Sequence, residues 1–258
     1  MNQIASIDVF KAVAPDWARP TLSVVIPMYN EVGNVAFVVD DVAQALGSMP
    51  YEIIAVDDGS ADGTLAALQD LKDQLPTLRV LHHAENVGQS RAIRSGVQAA
   101  RGEIIATLDG DGQNPASGII ALYAQFMRDD APDALGMIGG TRAGRQDKPS
   151  RLLASSIARM VRRWVLSDPF VDTGCGLKVF KKQAFLQLPF FDHQHRYLPI
   201  LMRREGFLVE AHPVQHRPRF SGRSKYTNLG RAAVAIRDVL GVLWLRDRAK
   251  QPSAVEEV

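Results

Sequence analysis

The order of apolar and polar segments between residues 21 and 112 constrains this chain more than any other feature. A β-branched run, TLSVVIPMY (21–29), precedes NVAFVVDDVAQAL (34–46), in which Val35, Val38, Val39, Val42, Ala43 and Leu46 recur at helical spacing. YEIIAVDDGS reads as a strand entering a turn, and DGTLAALQDLKDQL as a helix that Asp62 is placed to cap. LRVLHH is a short strand, SRAIRSGVQAA a helix and GEIIATLDGDG a strand. Strand and helix alternate with short connections. That order predicts an α/β fold, a mostly parallel sheet with helices on both faces. Ligands of such sheets bind beyond the carboxyl ends of the strands.

The polar signals fall at those ends. The strands run into PMYNE, DDGS, HAENVGQS and DGDGQN, so four loops rich in carboxylate, amide and glycine share one sheet edge. In the last, Asp109 and Asp111 flank Gly110, which permits a tight turn. Two carboxylates so close repel each other. Mg²⁺ or Mn²⁺, hard cations that also bind phosphate oxygens, would relieve the repulsion. DGDG is equally ordinary turn chemistry, and the residues alone leave both readings open. Asp57 or Asp58 suits a base N–H or a ribose hydroxyl, or else an Asx-turn or helix cap. No G-x-G-x-x-G follows the first strand, no P-loop occurs, and the ligand spacing of an EF-hand is missing.

Beyond residue 115 the pattern weakens to a helix at 117–127, a strand at 134–142, a polar loop AGRQDKPS and a helix at 151–166. DTGCGLKVFKKQAF gives a turn, a strand and a short helix. Arg142, Arg145, Lys148 and Arg151 place four basic residues within ten positions, suited to a phosphate or to a solvated loop. A last helix spans about 228–245, with Leu229, Ala233, Ile236, Leu240, Leu243 and Trp244 on one side. Arg231, Arg237, Arg246 and Arg248 flank or interrupt it. It reads as an interfacial membrane helix or as a core or oligomer helix. His193 and His195 are spaced to share a strand face as metal ligands, but no further Cys or His cluster supports them. Cys175, between two glycines, reads as a packed residue.

Composition bounds these readings. The 258 residues suit one large domain, and a net charge of +2 gives no argument for nucleic acid. One cysteine excludes an internal disulfide and, with no signal peptide, points to a reducing, cytoplasmic setting. No apolar run reaches the roughly 18 residues that span a bilayer. The expected organisation is an extension over 1–20, a main domain over 21–226 and an amphipathic helix with a polar tail over 227–258.

Read together, VVIPMYNE, AVDDGSADGT, ENVGQSRAIRSG, TLDGDGQN and DTGCGLKVF resemble the family 2 glycosyltransferases. HRYLP and PRFSGRSKY resemble its dolichyl/polyprenyl-phosphate hexosyltransferase branch, which includes dolichyl-phosphate mannose synthase. The resemblance covers about residues 20–245, in order. It implies a GT-A fold, a GDP- or UDP-linked sugar donor, Mg²⁺ or Mn²⁺, and polyprenyl or dolichyl phosphate as acceptor. By the same resemblance Pro27, Tyr29 and Glu31 line the nucleoside, and Asp58 contacts the base with Asp57 beside it. Asp109, Asp111 and Gln113 hold metal and diphosphate. Arg142, Arg151 and Ser155 hold the lipid phosphate, and Arg219, Ser224 and Lys225 close on the donor diphosphate. Several relatives continue into transmembrane helices after the last motif. This chain resembles the short, soluble form, expected on the cytoplasmic face of a membrane as a homo-oligomer or beside a membrane partner protein.

Two competing functions follow from the residues. A hydroxyl acceptor would need a carboxylate base, for which Asp172 is the candidate. A nucleotide-sugar-binding subunit would be active only with a membrane partner.

Overall fold

The computed structural model describes residues 20–142, 166, 170, 172–218 and 228–250. Strand β1 (Leu22–Met28) leads through a 3₁₀ turn (Val32–Asn34) into α1 (Val35–Leu46). Next come β2 (Tyr51–Asp58), α2 (Thr64–Lys72), β3 (Leu78–His83), α3 (Gln89–Ala99), β4 (Ile104–Thr107) and α4 (Ser117–Phe126). The remaining elements are β5 (Leu135–Arg142), β6 (Lys178–Lys181), α5 (Lys182–Gln187), a 3₁₀ turn (Gln194–Arg196), α6 (Leu198–Arg204), β7 (Leu208–Val214) and α7 (Asn228–Asp247). The described strands form one sheet in the order β3-β2-β1-β4-β6-β5-β7. Only β6 runs against its neighbours, β4 and β5.

The sheet is covered on both faces, which is why its central strands are continuously apolar. Every residue of β2 is buried, including the two aspartates that end it. Residues of β1 alternate between layers. Leu22, Val24, Ile26 and Met28 meet α1, α2 and α4. Val25 faces the other layer, with Ile93 and Val97 of α3, Phe185 of α5, Leu201 of α6 and Val242 of α7. Register then brings chemistry to one edge. Met28 pairs with Asp57, Asp58 with His83, and Thr107 with Lys178. Because β6 is antiparallel, its first residue, Lys178, joins the carboxyl ends of the others.

The expected alternation is present, with local corrections. Helix α2 starts at Thr64, and Gly63, at φ 88°, occupies the cap position expected of Asp62. The Asp62 carboxylate instead accepts from the Thr64 and Val32 amides, at 3.1 and 3.2 Å, tying α2 to the first loop. In the 109–113 turn the left-handed residue is Gly112, at φ 72°. Gly110 is needed for close approach, since a Cβ there would lie 2.9 Å from the Pro27 carbonyl oxygen. Helix α6 and strand β7 were not expected. The burial of β7 does not alternate, and Pro213 lies within it, so it carries little period to read. The loop 143–150, and all but Leu166 of the helix 151–166, lie outside the described residues.

Candidate active site

The four loops expected at one edge are there, laced by specific bonds. Asn30 and Glu31 donate their amides to Ser60 Oγ and Thr64 Oγ1, each at 2.8 Å. Asn30 Oδ1 accepts from the Ala61 amide at 2.7 Å. The first and second loops are thereby one unit, carrying Tyr29, 39% exposed, at the surface. Pro27 stands inside β1, opposite Val56.

The paired aspartates of β2 have different tasks. Asp58 is saturated. One oxygen accepts from His83 Nδ1 at 2.7 Å and the Val87 amide at 3.2 Å. The other accepts from Asn86 Nδ2 and the Gly88 amide, both at 2.8 Å. Asp58 therefore shapes the 83–88 loop. Asp57 is fully buried. Its Oδ2 accepts from His82 Nδ1 at 2.8 Å, while Oδ1 has no partner. A buried carboxylate oxygen without a partner calls for a donor that the described residues do not supply.

Asp109 lies just past β4. Gln89 Nε2, at the start of α3, donates to its Oδ1 at 2.9 Å. A Cβ on Gly176 would fall 2.2 Å from the carboxylate, so the last glycine of DTGCG is required by it. Burial and the charge of Asp111 push the Asp109 carboxyl up to about 6, against the opposing pull of Lys178 and Arg142. Asp111 Oδ1 accepts the Gln113 amide at 3.1 Å. This donor set fits a hard divalent ion. Asp109 and Asp111 offer two carboxylates two residues apart, with Gln113 following them on the same turn. No group of three or more His, Cys, Asp or Glu able to hold a metal occurs among the described residues. Other coordination positions would thus fall to phosphate oxygens and water, the usual arrangement for Mg²⁺.

Beside it, Arg142 at the end of β5 forms a two-pronged pair with Asp172, Nε to Oδ2 at 2.7 Å and Nη2 to Oδ1 at 2.8 Å. The pair is mostly buried, and the hydrogen bonds that Arg142 donates to Asp172 raise the guanidinium pKa further. Lys178 is buried, and its ammonium donates to the Cys175 carbonyl. Burial pushes that ammonium down, opposed by Cys175, Asp109 and Asp172. Burial also pushes the Cys175 thiol up, consistent with a packed residue.

The histidines do not form a metal pair. His193 Nδ1 lies 3.1 Å from Asp238 of α7. His195 is held well below the usual imidazole range, first by burial and then by Arg196, Lys178 and His193. Its amide donates to Ser90 Oγ at 3.2 Å, and the same hydroxyl shares a hydrogen bond of 2.7 Å with His195 Nδ1.

The structure thus places Pro27, Tyr29, Glu31, Asp57, Asp58, Asp109, Asp111, Gln113 and Arg142 at one edge. Arg151, Ser155, Arg219, Ser224 and Lys225 lie outside the described residues, as do Arg145 and Lys148. Sequence reasoning missed Gln89, Lys178 and Gly176. Their signal was proximity to ENVGQS and DTGCG, and nothing local marked which residues of those motifs would reach Asp109.

A family model for glycosyl transferase family 2 matches residues 23–187. The chain is 31% identical over 237 residues to a dodecaprenyl-phosphate galacturonate synthase of Rhizobium johnstonii, covering 90% of this chain and 69% of that protein. It is 32% identical over 211 residues to an undecaprenyl-phosphate 4-deoxy-4-formamido-L-arabinose transferase of Pectobacterium carotovorum, covering 81% of this chain. The match spans 63% of that relative's length, less than two thirds. Among solved structures, glucosyl-3-phosphoglycerate synthase of Mycobacterium tuberculosis, in complex with Mn²⁺ and UDP, superposes with a TM-score of 0.66 at 18% identity. That match covers 91% of this chain and 82% of the other. A mannosyltransferase of Pyrobaculum calidifontis, bound to GDP-Man and Mn²⁺, gives 0.62 at 18% identity, covering 94% and 68%. The sheet, the strand-end loops and these likenesses agree: the chain belongs to glycosyl transferase family 2 and is a glycosyltransferase of GT-A architecture.

Proposed function

We propose that the protein transfers a hexose-type sugar from a GDP- or UDP-linked donor to polyprenyl or dolichyl phosphate, with inversion at the anomeric carbon. The observation that carries this reading is the pairing of Asp172 with Arg142 beside the Asp109–Asp111 site. Both Asp172 oxygens accept from one guanidinium, so Asp172 is poorly suited to act as a base for a hydroxyl. A phosphate acceptor needs no base, since a monoester with a second pKa of about 6 is already an anion at neutral pH. It needs orientation by a fixed cation, and Arg142 is fixed. The polyprenyl-phosphate enzymes among the relatives support the same acceptor class.

On the donor side, Asp57 and Asp58 stand behind the nucleobase position, with Asp58 shaping the 83–88 loop through the Val87 and Gly88 amides. Pro27, Tyr29 and Glu31 line the nucleoside. Asp109, Asp111 and Gln113 would hold Mg²⁺ or Mn²⁺, which when bound supplies positive charge to the leaving diphosphate. The Lys178 ammonium offsets part of the Asp109 charge without cancelling it. In this reading Arg151 and Ser155 join Arg142 on the lipid phosphate, while Arg219, Ser224 and Lys225 close on the donor.

A membrane setting follows from the acceptor. No described helix is long and apolar enough to cross a bilayer. Helix α7 carries Ile236, Leu240 and Trp244 at four-residue spacing, 64, 60 and 61% exposed, while Val242 on the opposite side is buried. Exposed arginines, Arg237 and Arg248, lie beside that stripe. An apolar stripe with Trp and Arg suits peripheral docking on the cytoplasmic face of an anionic membrane.

A panel of nucleotide sugars, screened by Mn²⁺-dependent thermal stabilisation and then by transfer to undecaprenyl phosphate, tests the reading. The expected result is one stabilising sugar nucleotide that is also transferred. Transfer to a hydroxyl acceptor but not to the lipid phosphate overturns it, and so does absence of transfer by the isolated protein.

A further inference from the structure

We propose that Arg217 is a positioning residue that clamps the Asp109–Gln113 turn in its metal-holding shape; this rests on the proposed donor site. Arg217 lies three residues beyond β7, far in sequence from the turn that it grips. Its backbone amide donates to the Gln113 carbonyl at 2.9 Å. Its side-chain Nε donates to the Gly112 carbonyl at 2.6 Å. One arginine therefore takes two successive carbonyls of the turn, one through its main chain and one through its side chain. Nη2 donates to Asp41 Oδ2 of α1 at 2.8 Å, and the same oxygen accepts the Ala116 amide at 2.9 Å, one residue before α4. The guanidinium carbon lies 4.5 Å from the centre of the Phe37 ring, also on α1.

The physical need is clear from the turn itself. Two like charges two residues apart favour opening, and Gly112, with its permissive backbone, resists little. The bond from the Gln113 amide to Asp111, at 3.1 Å, fixes one side chain and not the path of the chain. Arg217 fixes that path by orienting the peptide planes after Gly112 and Gln113. Its planar fork reaches a carbonyl and a carboxylate at once, which a lysine cannot reproduce. Arg217 is two residues before Arg219 in sequence.

The test is Mn²⁺ binding to the full chain, followed by loss of the free-ion paramagnetic resonance signal, with UDP and with GDP as probes. Groups that orient metal ligands typically change affinity by about 10- to 100-fold when removed. Arg217→Ala is expected to weaken Mn²⁺ binding by about 10-fold or more, and Arg217→Lys by less. Asp41→Asn, which keeps an acceptor for the Ala116 amide, should fall between wild type and Arg217→Ala. Circular dichroism confirms that each variant is folded, and the lysine and Asp41 variants serve if the alanine variant is not. Lower melting temperature with unchanged Mn²⁺ affinity makes Arg217 a structural stitch and overturns the clamp. Wild-type protein that binds no Mn²⁺ with either nucleotide overturns the metal site, and the clamp with it.

Discussion

The donor edge and the Arg142–Asp172 corner lie side by side on one sheet but balance their charge differently. At Asp109 and Asp111 two like charges stand two residues apart, and burial with the charge of Asp111 lifts Asp109 to about 6. At the corner Arg142 and Asp172 satisfy each other through two bonds. The contrast separates a pair of like charges suited to a divalent cation from a pair of opposite charges that bond each other. It explains how a cation can be presented to a phosphate without being free to collapse onto the donor carboxylates.

The sharpest way to break this contrast is at Asp111. Asp111→Asn should abolish Mn²⁺-dependent stabilisation by nucleoside diphosphate and lower transfer by about 1,000-fold, as loss of a main electrostatic group does. Melting curves with and without Mn²⁺ check it. Unchanged metal-dependent stabilisation would mean that the carboxylate pair serves something else.

Next is the corner. Arg142→Ala strands a mostly buried carboxylate and should destabilise the fold by about 3 kcal/mol, seen in urea unfolding. Asp172→Asn keeps a hydrogen-bonding partner for Arg142. It should cost transfer about 10-fold, mainly through KM for the lipid phosphate, with the pH profile unmoved. A loss of about 10⁴-fold with a shifted acid limb would instead mark a general base.

Asp109 sharpens the contrast through pH. Its folded carboxyl is raised above the unfolded value, so its stabilising contribution is present below about pH 4 and is lost as pH rises through about 6. Metal-free protein should lose stability across that window, and Asp109→Asn should lose less, gaining about 1 kcal/mol over wild type at pH 7. Mn²⁺ with nucleotide should cancel the difference in wild type. A flat profile for both proteins would mean that Asp109 is already balanced by Lys178.

The two regions also differed in how far they could be read from sequence. The donor edge was legible because each loop directly follows an apolar strand, so period and order place PMYNE, DDGS and DGDGQN together. Even there, which of Asp57 and Asp58 remains open was hidden, since it depends on His83, Asn86 and two amides of a loop 25 to 30 residues away. The corner was less legible. Lys178 reaches the edge only because β6 runs antiparallel, and four residues, KVFK, do not announce their direction. Arg217 and Asp41 are 176 positions apart, and no local pattern joins them.

The smallest effect on stability concerns α7, which belongs to neither region but should bring both to the lipid. Leu240→Glu and Trp244→Glu change side chains that are 60 and 61% exposed. Folding stability should therefore shift by less than about 0.5 kcal/mol. The effect should appear instead in partition onto vesicles containing phosphatidylglycerol. A charge set into an apolar stripe removes buried area and is repelled by an anionic leaflet, so sedimentation with vesicles should fall several-fold. Transfer to a short, water-soluble prenyl phosphate should persist, because the donor edge and the Arg142–Asp172 corner are untouched. If both activities fall together while vesicle binding holds, the stripe packs against protein, and the route to the acceptor lies elsewhere on the sheet edge.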